Sequence, residues 1–266
     1  MKYFSKFVDE ASGQISASIP LLPLIHTTSL YSLREILNAG NIIKPMKCSV
    51  FNQELTYLFY GKASYVARQE YFSSFSLDFP ITFIIDPNID LKIERIIAFD
   101  SGALHGNIYK NYIPEKLKVE NYTISEKNLE LDSASKIVKA FYLNNTDYYY
   151  NSPRKDLAID NLHFEVETYF NLISSKEAAS FDERSSTIEI QISNEINLET
   201  ALQAVILPDT ILSSQDFMKM VSKAWGNVEI ISYSTFRAQP AYFAAIMVEK
   251  IGNFLQKRNL LGKNFA

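Results

Sequence analysis

A chain of 266 residues, 47% hydrophobic and 21% charged, has the composition of an ordinary globular protein long enough to bury a sizeable core. A formal net charge of −4 and a pI near 5.5 exclude a global attraction to nucleic acid and leave only a local basic face among 26 Lys and Arg. The single cysteine, Cys48, excludes an intrachain disulfide and fits a reducing cytoplasm; with only three histidines beside it, a structural zinc site is not expected.

The first 22 residues predict a loose lead-in with a short helix near Tyr3–Ala11. MKYFSKFVDEASG alternates charges and lacks the apolar core of a signal peptide. No stretch reaches the roughly 18 apolar residues of a membrane span. The expectation is therefore a soluble cytoplasmic protein with no membrane partner. Leu22–His26 predicts a strand, followed by a helix capped at Ser29. Leu30, Leu33, Ile36 and Leu37 form its apolar stripe, and Gly40 is its stop. Leu55–Tyr60 predicts a buried strand, and Gly61 opens a helix from Lys62 to about Tyr71.

PITFIID, closed by Pro87, predicts a further strand, as does Ile93–Phe99. Residues 103–130 read as irregular. A helix is expected over Ser133–Leu143, a tyrosine-bearing loop over Asn144–Pro153, and a helix from Asp160 or Asn161 to about Ile173. STIEIQI alternates with period two, setting Ile188, Ile190 and Ile192 against Thr187, Glu189 and Gln191. Leu202–Leu207 predicts a strand, Ser213–Trp225 a helix stopped by Gly226, and Val228–Ser232 a strand. A long helix with proline in its first turn runs from Pro240 to about Arg258. Strands and helices follow no regular βαβ beat, so an α+β chain with a mixed, largely antiparallel sheet and flanking helices is expected. It reads as one domain over residues 1–266, with a less readable insertion around 103–160.

Several chemistries are missing. With eight glycines the chain has no G-x-G-x-x-G, no G-x-x-x-x-G-K-S/T and no G-x-S-x-G. Three features remain. His26 closes an apolar strand and precedes hydroxyl residues. Tyr60 and Tyr65 flank a strand-to-helix turn, where an aromatic ring can stack on a flat cation. Glu189 is a carboxylate on a strand, where an unpaired charge is costly to bury, with Gln191 on the same face and Arg184 upstream. Against these stand packing roles for the rings and a solvated strand face for Glu189. Asp100-Ser101-Gly102 with His105 forms a polar knot that reads first as a capping aspartate in a turn. Glu165 and Glu167 point different ways on one helix and make a poor acid–base pair.

Taken together, LIHTTSLYSLREILNAGNI, LFYGKASYVARQEY and STIEIQI followed by LQAVILP resemble the ADP-ribosyltransferase fold. They are most similar to its DNA-targeting bacterial toxin and poly(ADP-ribose) polymerase branch, over about half the chain in three patches. The resemblance implies a split sheet, NAD as substrate, no metal, and catalysis by Glu189, His26 and Tyr60. His26, Thr27, Tyr60, Ser64 and Tyr65 would contact NAD. His26 would bond a ribose hydroxyl, and Tyr60 and Tyr65 would stack the nicotinamide. The sequence departs from the polymerase pattern at Thr27, where that family usually carries a glycine that grips the carboxamide. The acceptor implied is a nucleic acid or a protein, and a toxin or antiviral role with an antitoxin or other protein partner would follow. Two other readings stay open. Asp182 with Glu189 and Gln191 loosely imitates the acidic set of a magnesium-dependent nuclease, and the Tyr148–Tyr150 loop with the last helix could serve a non-enzymatic interaction module.

Overall fold

The computed structural model describes residues 3–64, 76–126, 128–175, 183–226, 228–235 and 240–262. In chain order the chain begins α1 (Tyr3–Gly13), β1 (Leu24–Ser29), α2 (Leu30–Asn38), β2 (Ile42–Ile43), β3 (Met46–Cys48), β4 (Gln53–Tyr60), β5 (Pro80–Ile85) and β6 (Ile93–Ile97). Then come α3 (Ser101–His105), α4 (Asp132–Tyr142), α5 (Asn145–Tyr149), α6 (Phe164–Ser174), β7 (Glu189–Ile192) and β8 (Ile196–Asn197). α7 (Leu198–Ala201), β9 (Leu202–Pro208), α8 (Asp209–Leu212), α9 (Gln215–Trp225), β10 (Glu229–Tyr233) and α10 (Pro240–Lys257) complete it. The chain is α+β, and it divides into two compact units. One comprises residues 1–22, 93–191 and 254–266, the other residues 23–92 and 192–253.

In the second unit the strands lie in the order β10-β9-β5-β1-β4, with β3 beside β4. β1 is antiparallel to both β4 and β5, β5 to β9, and β3 to β4, whereas β9 and β10 are parallel and joined through α8 and α9. The sheet is thus mixed and largely antiparallel. β5 reads PITFII, and all six residues are buried, as befits an apolar strand covered on both faces. β2 and β8 form a separate antiparallel ribbon.

α2 begins as its sequence predicts. The Ser29 hydroxyl accepts from the Ser32 amide at 3.2 Å, and Gly40 follows the helix at φ +81°, a conformation that favours glycine. Only Leu33 of the predicted stripe is fully buried.

The first unit is packed around aromatic rings. Phe4 of α1 stacks on Phe141 of α4 at 5.7 Å, and Tyr169 of α6 meets Phe141 edge-on at 4.7 Å. Phe99 joins this cluster through Tyr122 at 4.9 Å. The region read as irregular contains α3 and a 3₁₀ turn at Val119–Tyr122. The expected loop after α4 contains α5, in which Tyr148 and Tyr149 are buried; Tyr150, the residue that caps its end, is exposed, so the exposed tyrosine surface is reduced to one ring. Among the described residues no helix is long and apolar enough to cross a membrane.

Candidate functional site

Glu189 opens β7, and every residue of that strand is buried. The alternation of STIEIQI separates two faces correctly, but the face bearing Glu189 and Gln191 is enclosed and not solvated. Glu189 is 1% exposed. The strand starts later than expected, because Glu183–Ser186 forms a 3₁₀ turn and β7 begins only at Glu189. The Ile188 amide donates to the Tyr148 hydroxyl at 3.2 Å, which satisfies the backbone where pairing has not begun.

Three donors hold the carboxylate. The Ser101 amide donates to Oε2 at 2.9 Å, the Ser101 hydroxyl to Oε1 at 2.7 Å, and the Gln191 side-chain amide to Oε1 at 2.7 Å. Ser101 is placed by Asp100, the N-cap of α3, whose Oδ1 accepts from the Ala103 amide at 3.0 Å. The Asp100 amide in turn donates to the Arg184 carbonyl at 3.1 Å. The backbone is close-fitted here, since a Cβ on Gly102 would meet Asp100 Oδ1 at 3.1 Å.

Arg95 of β6 donates through Nη1 to Gln191 Oε1 at 3.0 Å. A guanidinium cannot accept, so the Gln191 carbonyl must face Arg95 and its NH₂ must face Glu189. Arg95, Gln191 and Glu189 therefore form a directional relay.

Burial lifts the Glu189 carboxyl to about 7, with the charge of Asp100 as the second cause; the Ser101 and Gln191 donors pull the other way. A carboxyl titrating there suits proton exchange at neutral pH. Three donors occupy three of its roughly four acceptor positions. The Ser185 hydroxyl, in the turn that precedes β7, is buried and has no hydrogen-bond partner among the described residues.

The remaining predicted residues belong to the second unit. His26 does not end its strand, because β1 continues to Ser29 and His26 lies opposite Phe83 of β5. Its ring stacks on Phe83 at 6.3 Å and 17°. Nδ1 donates to the Tyr57 carbonyl at 2.9 Å, so in the neutral ring Nε2 is an acceptor. Burial lowers the His26 pKa and favours that neutral ring, while the Tyr57 bond opposes it.

Leu24 pairs with Tyr60, which puts His26 and Tyr60 on one face of β1 and β4 at diagonal positions. Tyr60 is 0% exposed. Gly61 follows at φ +66° and donates its amide to the Pro23 carbonyl at 2.9 Å, fixing the turn.

The Thr27 hydroxyl lies 3.0 Å from the Thr82 hydroxyl, which donates to Met247 Sδ at 3.2 Å. Thr82 has one proton, so Thr27 is the donor of the pair. Ser64 is buried. Residues 61–64 are not helical where a helix was expected to open, and Tyr65 lies outside the described residues, as do Tyr71 and Asp182.

Ser101 and Arg95 escaped the sequence reading. Ser101 stood in the polar knot, but nothing in its spacing linked it to a glutamate 88 residues away. Among the described residues no group of three or more His, Cys, Asp or Glu is placed to hold a metal ion. Comparison with protein-family models, curated proteins and solved structures finds no match to this chain.

Proposed function

We propose that the protein is an NAD-consuming ADP-ribosyltransferase with Glu189 as its catalytic carboxylate, built on an ADP-ribosyltransferase-like split sheet. One observation carries this reading. A glutamate, named from the strand pattern alone, is buried, gripped by Ser101 and Gln191, and raised to about 7. Such a carboxylate can stabilise a cation when ionised and accept a proton at neutral pH.

The bond between ribose C1′ and the nicotinamide nitrogen breaks, its electron pair leaves with the ring, and nicotinamide departs neutral. C1′ gains oxocarbenium character, which the ionised Glu189 stabilises. An acceptor nucleophile then bonds to C1′ and releases its proton to Glu189. The approach of a cationic ring favours the ionised carboxyl, so substrate itself readies the group. His26, in its neutral tautomer, offers Nε2 to a ribose hydroxyl; Tyr60, Tyr65, Thr27 and Ser64 keep the NAD-contacting roles that the resemblance gives them. The acceptor is a nucleic acid or a protein, and a toxin or antiviral effector acting in the cytoplasm is the setting this chemistry serves.

The test is nicotinamide release from NAD by the purified protein and by Glu189→Gln, which keeps the side chain's shape. A loss of about a hundredfold or more is expected, in line with removal of a principal electrostatic group. An unchanged rate would end the role of Glu189, and absence of any release by the parent with candidate acceptors present would end the reading.

A further inference from the structure

The segment between α3 and the Val119–Tyr122 turn runs through thirteen residues, 106–118, without regular secondary structure. Connections of that length in a compact unit are uncommon and tend to be functional. This one is ordered by its own backbone. Successive turns close from Gly106 to Gly102, Ile108 to Ala103, Ile113 to Tyr109 and Leu117 to Pro114. Tyr109 is buried against Phe99 at 5.5 Å, and the Tyr112 hydroxyl lies 2.7 Å from that of Ser175.

The pinned loop surrounds a cavity of about 510 Å³, a size typical of small-molecule sites. Ile113 and Leu117 supply apolar wall, whereas His105, Lys110 and Lys118 supply basic groups and Glu115 the one acid. Neither Lys110 nor Lys118 has an ion-pair partner among the described residues. In a chain of net charge −4, two ammonium groups against the single carboxylate of Glu115 leave this cavity with a local excess of positive charge. Such a combination of field and apolar wall recognises an amphipathic anion.

We infer that this cavity is a binding site for a phosphate ester with an apolar or aromatic body, of about mononucleotide size. The phosphate is held by Lys110 and Lys118, with His105 adding a donor, and the body lies on Ile113 and Leu117. All these residues belong to one unit, and the site is independent of the transferase reading.

The experiment is calorimetric titration with uridine 5′-monophosphate, uridine and inorganic phosphate, using the full chain. The nucleotide is expected to bind in a salt-sensitive manner, with uridine and inorganic phosphate each about tenfold weaker or more. Lys110→Glu combined with Lys118→Glu should abolish binding with an unchanged Tm, since both side chains are exposed. If that pair fails to fold, Lys110→Met with Lys118→Met gives the same readout. Glu189→Gln should bind as the parent does, which separates this site from the carboxylate of the proposed reaction. Equal affinity for uridine and its monophosphate, binding that survives the lysine substitutions, loss of binding in Glu189→Gln, or no binding of the nucleotide at millimolar concentration would each overturn the inference.

Discussion

Ser101 grips Glu189 with both of its donors, the amide reaching Oε2 at 2.9 Å and the hydroxyl reaching Oε1 at 2.7 Å. The two-point hold fixes the plane of a carboxyl that burial would otherwise leave costly and loosely oriented. It also opposes the two effects that raise the group, desolvation and the charge of Asp100. The balance leaves Glu189 able to hold or lose a proton near neutral pH.

That balance predicts a pH-dependent stability. Below the ordinary carboxyl range, near 4.5, Glu189 is protonated in both states and carries no penalty. As pH rises, the unfolded chain releases the proton first and the folded chain keeps it until about 7. Stability should fall over that window by roughly 3 kcal/mol and level off above it. Glu189→Gln cannot titrate, so its denaturant-unfolding profile should lack this fall. Parallel profiles for parent and variant between these limits would show that the group is not raised.

Much of the framework was legible in the chain. β5 announced itself as a six-residue apolar run closed by Asp-Pro, and α2 by a serine cap and a glycine stop, because those signals act within a few residues. The position of Glu189 on a strand was legible for the same reason. Its burial was not, since whether a polar strand face meets water is decided by whatever packs on it. Ser101 and Arg95 were invisible as partners because hydrogen bonds spanning 88 and 96 residues leave no period in a sequence. His26 was misplaced at a strand end because Thr27, Thr28 and Ser29 read as a polar exit, although β-branched threonines extend β1 against β5.

Ser101→Ala removes the hydroxyl and spares the backbone donor. Losing a hydrogen bond to a buried, ionisable partner should destabilise the protein by about 1.5–3 kcal/mol above pH 7, where Glu189 is charged. The deleted bond favoured the charged form, so the Glu189 pKa must rise further. Under the proposed function the acidic limb of the rate profile for nicotinamide release should move to higher pH. A lower rate with an unmoved limb would mean that Ser101 serves the fold without tuning the carboxyl.

His26 makes the opposite pH prediction. Its pKa is lowered by burial, so folding disfavours the imidazolium. Its contribution to stability is present above the ordinary value of 6.5 and is lost as pH falls toward the depressed value in the fold. His26→Asn sets its amide nitrogen where Nδ1 stood, keeps a donor for the Tyr57 carbonyl and removes the titration. Its stability should decline less than the parent's on acidification below 6.5, as read from thermal melts. Under the proposed function the same variant should raise KM for NAD, because it lacks the imidazole acceptor for a ribose hydroxyl. Equal acid sensitivity in parent and variant would remove His26 from this account.

Arg95, Gln191 and Glu189 act in series, and a double-mutant cycle can expose that order. Arg95 fixes the Gln191 amide by donating at 3.0 Å to its carbonyl, and the amide then presents its NH₂ to Glu189 at 2.7 Å. Replacing Arg95 by Met frees the amide to turn, which weakens the bond to Glu189 without touching the carboxylate. Replacing Gln191 by Met removes that bond outright and leaves the guanidinium nothing to orient. Each change alone should raise the Glu189 pKa and, under the proposed function, move the acidic limb of nicotinamide release toward higher pH. Together they should move it little further than Gln191→Met alone, because the first link has no consequence once the second is gone. In stability the same cycle should give a coupling of about 1 kcal/mol, within the range measured for residues sharing one hydrogen-bond network. Additive shifts in the limb, with coupling below about 0.5 kcal/mol, would show that Arg95 and Gln191 act on the strand pair independently. The relay would then be a geometric coincidence of two good hydrogen bonds.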